Sequence, residues 1–304
     1  MKKDLISIEG LEVKYISDIL ELTGKIKSDK AKYGDALKGK SIGLIFQKPS
    51  NRTRVSFEIG MVQLGGHAAY LGPSEIEMGK RESVKDVAAV LSRYLDGIVA
   101  RTHKHEDVLE LAKYATVPVI NGLSDRAHPC QALGDVFTIK EKFGSFKGVT
   151  LAYIGDGNNV LNSLMCAAAK IGLNMKIATP KGYEPGKELI NIAGSFAKTS
   201  GSKINLFNDP KEAAKDADVI YTDVWVSMGQ EKEAGKRESD FKDFQINDKM
   251  LKLAKDKCLV MHCLPAHRGL EITDSVMDSK SSIIYDQAEN RMHVQKAILL
   301  QLLK

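Results

Sequence analysis

Ser41-Ile42-Gly43-Leu44-Ile45-Phe46-Gln47-Lys48-Pro49-Ser50-Asn51-Arg52-Thr53-Arg54 is the stretch on which the reading of the fold turns. Its first six residues make a short, continuous apolar run bounded by turn chemistry, the pattern of a strand buried on both faces. From Val55 to Leu64 the spacing changes. Phe57, Met61 and Leu64 fall on one helical face, and Gly65-Gly66 stops the helix. A buried strand, a polar loop and a helix are the opening unit of an α/β fold. The loop carries two arginines, two hydroxyls and the unpaired N–H groups of a helix start, and all of these favour a bound anion.

The same alternation runs outward along the chain. Strands are expected at His67 to Leu71, Asp96 to Ala100 and Val117 to Ile120, with amphipathic helices between them. The pattern pauses at Phe143-Gly144-Ser145 and restarts with Val149 to Ile154. Further strands are expected at Met175 to Ala178, Lys203 to Phe207, Val219 to Tyr221 and Leu259 to Met261. Ile283-Ile284-Tyr285 reads as a last short strand and Arg291 to Leu303 as a closing helix. Strand and helix alternating in both halves predict two α/β domains, each a doubly wound parallel sheet, of similar size.

Length and composition agree with this. A chain of 304 residues exceeds one comfortable core, so two domains of roughly 150 residues are expected. A net charge of +5, from 44 basic and 39 acidic residues, is too balanced to mark a nucleic-acid surface and suits a small anionic substrate. Cys130, Cys166, Cys258 and Cys263 are too few and too scattered for a disulfide framework. The start Met1-Lys2-Lys3-Asp4 lacks the apolar core of a signal peptide, and no apolar run approaches the ~18 residues of a membrane span. A cytoplasmic protein with no membrane or nucleic-acid partner is expected.

Two motifs invite functions that their neighbours do not support. Gly155-Asp156-Gly157 supplies two glycines of a dinucleotide fingerprint, but Val160 stands where the third belongs and Met175-Lys176-Ile177-Ala178 offers no acid for a ribose. A tight turn with a polar cap is the plainer reading. Cys258, His262, Cys263 and His267 have a spacing suggestive of zinc, yet Cys258 begins a strand and Cys263 follows its end, which does not favour a tetrahedron. No metal and no cofactor are expected.

In open α/β sheets ligands sit at the carboxyl ends of the strands. Ser50, Arg101, His128, Asn159, Asp223 and Cys263 all come at or shortly after the end of an expected strand. This placement suggests one shared cleft.

Those segments also carry a resemblance. Ser50-Asn51-Arg52-Thr53-Arg54, Arg101-Thr102-His103 and His128-Pro129-Cys130-Gln131 resemble the carbamoyl phosphate site of the transcarbamylase family. Asp223-Val224-Trp225-Val226-Ser227-Met228-Gly229, His262-Cys263-Leu264-Pro265, Asn158-Asn159 and Glu289-Asn290-Arg291 resemble its ornithine branch. The similarity covers nearly the whole chain in order. It implies a carbamoyl-phosphate domain over 1–134, with 288–304 packing back on it, and an ornithine domain over 135–287. Interdomain helices would link the two, with the active site in the cleft between them. It also implies a homotrimer or a higher assembly of trimers. Ser74 departs from the longer polar residue that relatives use to reach a neighbouring subunit's phosphate, with Lys80 or Arg81 as possible substitutes, and Asn51 replaces a more usual threonine.

By the same resemblance, Ser50, Asn51, Arg52, Thr53 and Arg101 hold the phosphate, a dianion that needs several charge-assisted bonds. Arg101, His128 and Thr53 polarise the carbamoyl oxygen. Gln131 and the Leu264 carbonyl fix the carbamoyl NH₂, Arg291 reaches the carbonyl side, and Arg54 pairs with a buried acid. Asn159, Asp223, Ser227 and Met228 hold the amino-acid end of ornithine, with Cys263 near the δ-amine. Arg101, His128 and Cys263 are thus the catalytic candidates. An amine with a pKa of about 10 costs about 4 to 5 kcal/mol to deprotonate at pH 7, which the site must help to meet. Carbamoyl phosphate is already activated, so no covalent intermediate is expected. The implied reaction gives citrulline and phosphate. The alternatives are a relative using putrescine or acetylornithine, and a non-catalytic phosphate- or nucleotide-binding module.

Overall fold

The computed structural model describes residues 3–227 and 229–304. The chain divides into two compact units, Met1–Phe137 with Asn290–Lys304, and Thr138–Glu289. Both divisions fall inside helices, Pro129–Phe143 and Ile284–Leu303. A helix that continues through a boundary needs no glycine or proline there, so composition does not mark the seam.

The first unit is built on four parallel strands, β1 (Ser41–Phe46), β2 (His67–Leu71), β3 (Gly97–Arg101) and β4 (Val119–Leu123), in the order β2-β1-β3-β4. Ile42, Leu44, Ile45 and Phe46 of β1 are completely buried, as a strand covered on both faces requires. The following helix, Asn51–Gln63, begins at Ser50, whose extended backbone and hydroxyl cap it by accepting the Thr53 N–H at 3.4 Å. Phe57 and Met61 anchor its inner face.

The second unit holds β5 (Thr150–Ile154), β6 (Asn174–Ala178), β7 (Ile204–Phe207), β8 (Val219–Thr222) and β9 (Leu259–His262), all parallel, in the order β7-β6-β5-β8-β9. Tyr153 and Tyr221 stand in register on β5 and β8 with ring centroids 5.6 Å apart. Phe241 and Phe244 cover Ile154, Ile220 and Val260 within one buried cluster. Among the described residues no helix is long and apolar enough to cross a membrane.

One sequence expectation fails. Ile283-Ile284-Tyr285 is not a strand: Ser282 makes an isolated bridge to Val260, Ile283 donates one ladder bond to the Val260 carbonyl at 3.0 Å, and helix begins at Ile284. Three apolar residues carry no period, so nothing in them separated a strand from the first turn of a helix.

Both sheets share a topological device. In the first, the chain moves from β1 out to β2 and then returns to the other side of β1 for β3. In the second it moves from β5 through β6 to β7, then returns beside β5 for β8. The switch points therefore lie at β1/β3 and β5/β8, and the loops at their carboxyl ends are where each sheet can hold a ligand.

Candidate active site

At the switch point of the first unit, Phe46 and Arg101 are register partners at the ends of β1 and β3. Gln47 ties the two loops that follow. Its N–H donates to the Arg101 carbonyl at 2.8 Å, its Nε2 to Asp107 at 2.9 Å, and its Oε1 accepts the His103 N–H at 2.7 Å. Around this frame the structure gathers Thr53, Arg101, His128, Gln131 and Arg291, each at most 6% exposed. Ser50 is half-buried, and Asn51 and Arg52 are exposed at the helix start. The Arg291 guanidinium donates to the Thr53 hydroxyl at 3.0 Å. Gly134 makes room for it, because a Cβ there would stand 3.0 Å from Arg291 Cγ.

Electrostatically this is a cationic pocket. Burial, then Arg291, then Arg52 push the Arg101 guanidinium down to about 10. Burial holds His128 well below its ordinary value, and Arg291, Arg101 and Arg52 reinforce the effect. His128 is therefore neutral at pH 7, able to donate one hydrogen bond without adding charge. Arg101 Nε and Gln131 Oε1 are buried with no hydrogen-bond partner among the described residues. Gln131 Nε2 donates to the fully buried Asp135 at 2.7 Å, which fixes the amide and leaves its oxygen aimed elsewhere. Arg54 departs from expectation. Its acid is Glu58, one turn on and exposed, at 3.3 Å, and its guanidinium stacks 3.8 Å over the Tyr70 ring.

In the second unit the centre is Asp223, just past β8 and 5% exposed. Asn158 Nδ2 donates to Asp223 Oδ2 at 2.7 Å, while Oδ1 accepts the Val224 N–H at 2.8 Å and the Cys263 thiol at 2.9 Å. Asn158 also caps helix Asn159–Ile171, its Oδ1 accepting from Val160 at 3.0 Å and Leu161 at 3.1 Å. Asn159 is the half-buried first residue of that helix. Ser227 is half-buried in a small turn in which its N–H donates to Gln230 Oε1 at 3.1 Å. Met228 lies outside the described residues. Leu264, half-buried after Cys263, adopts a left-handed φ of 59°.

A second layer supports these groups. Arg237, 6% exposed, donates to Asp156 and to the Trp225 carbonyl, both at 3.0 Å, and to Glu233 at 3.1 Å. It thereby ties the segment carrying Ser227 to the turn after β5. Burial raises the Asp156 carboxyl above the usual range even with Arg237 beside it. The Gly155-Asp156-Gly157 turn is filled by protein: a Cβ on Gly157 would lie 2.6 Å from Glu184 C and Pro185 N. The zinc spacing does not gather either. Among the described residues the donor atoms that converge, within 4.8 Å of one another, belong to Asp223, His262 and Cys263, without Cys258 or His267.

The sequence reading quotes Asn158 and Asn159 together and gives a role to Asn159 alone, although an asparagine directly before a helical run is an N-cap signal. Asp135 carried a weaker signal, one turn after Gln131. Arg237 carried none, since Asp156 lies 81 positions away.

Comparison with known proteins gives a consistent result. Residues 3–141 match the description "Aspartate/ornithine carbamoyltransferase, carbamoyl-P binding domain" and residues 147–302 match "Asp/Orn binding domain" of the same family. The chain is 52% identical over 302 residues to a catabolic ornithine carbamoyltransferase of Thermoplasma acidophilum, covering 99% of each chain. It is 54% identical to an anabolic one of Pyrococcus furiosus, over 98% of this chain and 95% of the relative. A solved ornithine carbamoyltransferase structure from Pyrococcus furiosus superposes with a TM-score of 0.96 at 52% identity, covering 99% of this chain and 97% of that one.

Proposed function

The chain belongs to the aspartate/ornithine carbamoyltransferase family, and we propose from its geometry how its residues divide the transfer of a carbamoyl group from carbamoyl phosphate to the δ-amine of ornithine, giving citrulline and phosphate. One observation carries the donor half. Arg52, Arg101 and Arg291 bear on one another and on a buried, neutral His128, and Arg101 Nε has no partner among the described residues. Such a concentration of positive charge is stabilised by a compact polyanion held through charge-assisted bonds. Ser50, Asn51, Arg52, Thr53 and Arg101 take the phosphate. Arg101, His128, Thr53 and Arg291 face the carbamoyl oxygen, and Gln131 Oε1 and the Leu264 carbonyl accept from its NH₂.

The acceptor half rests on Asp223. Three donors fix the direction of its carboxylate, as a partner for the α-ammonium of an amino acid requires. Asn159, Ser227 and Met228 complete that end, with Cys263 beside the reacting amine. Chemistry then needs only two steps. The neutral δ-amine attacks the carbamoyl carbon while donors steady the negative charge on its oxygen; the carbon–oxygen bond to phosphate then breaks, and the proton shed by the attacking nitrogen leaves on the phosphate. Holding both reactants in line supplies most of the acceleration, with no covalent intermediate.

The assembly reading is a homotrimer. It is supported by Val55, Ile59 and Val62, an apolar stripe on helix Asn51–Gln63 that is 53%, 41% and 59% exposed in the single chain. Four buried free cysteines support a reducing, cytoplasmic setting. Carbamoyl transfer to ornithine, putrescine, acetylornithine and aspartate, measured side by side, tests the function: ornithine is expected to be preferred, and preference for any other acceptor overturns the reading. Equilibrium sedimentation tests the trimer, and a monomer removes it.

A further inference from the structure

The turn after β9 is held by a pair of side chains that the reaction itself does not use. His262 closes the strand and is 1% exposed, and Glu271 is completely buried. The His262 ring reaches forward: its Nδ1 accepts the Leu264 N–H at 2.8 Å. A nitrogen that accepts has no proton, so in the neutral ring the proton sits on Nε2, which faces Glu271 Oε1 at 3.1 Å. Glu271 Oε1 also accepts the His267 N–H at 2.6 Å.

Glu271 is brought there by a loop that folds back on itself. Gly269 donates to the Ile272 carbonyl at 2.8 Å, and the Ile246 N–H donates to the Glu271 carbonyl at 2.9 Å. Behind the ring, the His262 N–H donates to Gln287 Oε1 at 2.9 Å, and Gln287 Nε2 donates to the Tyr221 hydroxyl at 3.2 Å. His262 is therefore fixed on three sides.

The purpose of this bracing lies in Leu264. A left-handed φ of 59° is unfavourable for a residue with a side chain and persists only where the surroundings over-determine it. The bond from Leu264 N–H to His262 Nδ1 is what the turn gains in return. With that bond made, the Cys263 thiol lies against Asp223 at 2.9 Å and the Leu264 carbonyl has one direction. Both ring nitrogens of His262 are committed, so neither is left to take a proton from substrate.

We infer that His262 and Glu271 are positioning residues, a buried histidine–carboxylate pair that fixes the Cys263-Leu264 turn so that its carbonyl and thiol meet the reactants. This rests on the proposed function, in which that turn contacts the carbamoyl group. Two amide substitutions separate the ring's two bonds. In His262→Asn the amide oxygen can stand where Nδ1 stood and accept from Leu264. In His262→Gln the amide nitrogen can reach Glu271, but nothing accepts from Leu264.

The experiment measures kcat and KM for both substrates, with Tm, in wild type, His262→Asn, His262→Gln and Glu271→Gln, at a temperature where all are folded. The tautomer is read by NMR of ¹⁵N-histidine-labelled wild type. Expected results are the Nε2–H tautomer at His262 and a kcat loss of about 100-fold in His262→Gln, with at least about tenfold recovered in His262→Asn. Glu271→Gln keeps an acceptor oxygen and should fall between wild type and His262→Gln. A proton on Nδ1, or His262→Asn no more active than His262→Gln while wild type transfers normally, overturns this inference alone. Wild type that does not carbamoylate ornithine overturns the proposed function and this inference with it.

Discussion

The Arg291 guanidinium and the Thr53 hydroxyl, 238 positions apart in the chain, meet in a buried 3.0 Å hydrogen bond. Thr53 is the third residue of the helix that opens the anion loop, so this bond fixes Arg291 against the helix start. Replacing Thr53 by Val keeps the volume and removes the hydroxyl that accepts from the buried guanidinium, at a cost of about 1–3 kcal/mol. The expected outcome is a loss of that size in urea denaturation, with a rise of roughly tenfold in KM for carbamoyl phosphate and little change for ornithine. A Thr53→Val enzyme with unchanged stability and donor KM would show that the bond contributes nothing.

His128 gives a pH signature. Its folded-state pKa is depressed by burial and by Arg291, Arg101 and Arg52, while the unfolded value is about 6.5. Below that value the unfolded chain binds a proton that the folded protein refuses, so stability rises with pH up to the unfolded pKa and its contribution levels off above it. Urea denaturation from pH 5 to 8 should therefore show stability falling as pH drops below about 6.5, and His128→Gln should flatten that slope. An identical slope in the variant would mean that His128 is protonated in the folded state.

How much of this was legible in the sequence follows from the range of the interactions. β1 and the anion loop could be read because an apolar run, a proline and a capped helix are local signals, and parallel alternation then placed Arg101, Asp223 and Cys263 at strand ends. Ile284 was misread because three apolar residues have no period. Asn158, Asp135 and Arg237 act through partners that sequence spacing does not reveal or only hints at: Asn158 finds Asp223 across the β5/β8 switch, and Arg237 finds Asp156 across 81 positions. The side chains that orient a site depend on tertiary placement, whereas those that punctuate strands and helices announce themselves.

The Arg237–Asp156 pair, with both side chains 8% exposed, predicts strong coupling. Arg237→Met alone strands a buried carboxylate and frees the Trp225 carbonyl, for an expected loss of about 3–5 kcal/mol. Asp156→Leu alone leaves the guanidinium with Glu233 and the Trp225 carbonyl, so its loss should be smaller. The double variant should lose clearly less than the sum, because the desolvation cost of both ions disappears together. Additive losses in a denaturant double-mutant cycle would show that the two side chains act independently.

Asn158 joins the N-terminus of helix Asn159–Ile171 to Asp223, and substitution can separate the two roles. Asn158→Ser keeps a cap and drops the bond to Asp223, so it should raise KM for ornithine while costing only a few tenths of a kcal/mol in capping. Asn158→Asp also keeps the cap, and the helix start tolerates its charge. It sets a second carboxylate against Asp223 Oδ2, however, where the amide N–H had been 2.7 Å away. One of the pair is then forced above its unfolded pKa of about 3.9. A carboxylate with a raised folded pKa stabilises most at low pH, and that stability is lost as pH rises through the folded value. Relative to wild type, Asn158→Asp should therefore be destabilised more at pH 8 than at pH 5 in urea denaturation, whereas Asn158→Ser should show no such difference. A deficit in Asn158→Asp that is the same at both pH values would mean that residue 158 does not face the Asp223 carboxylate.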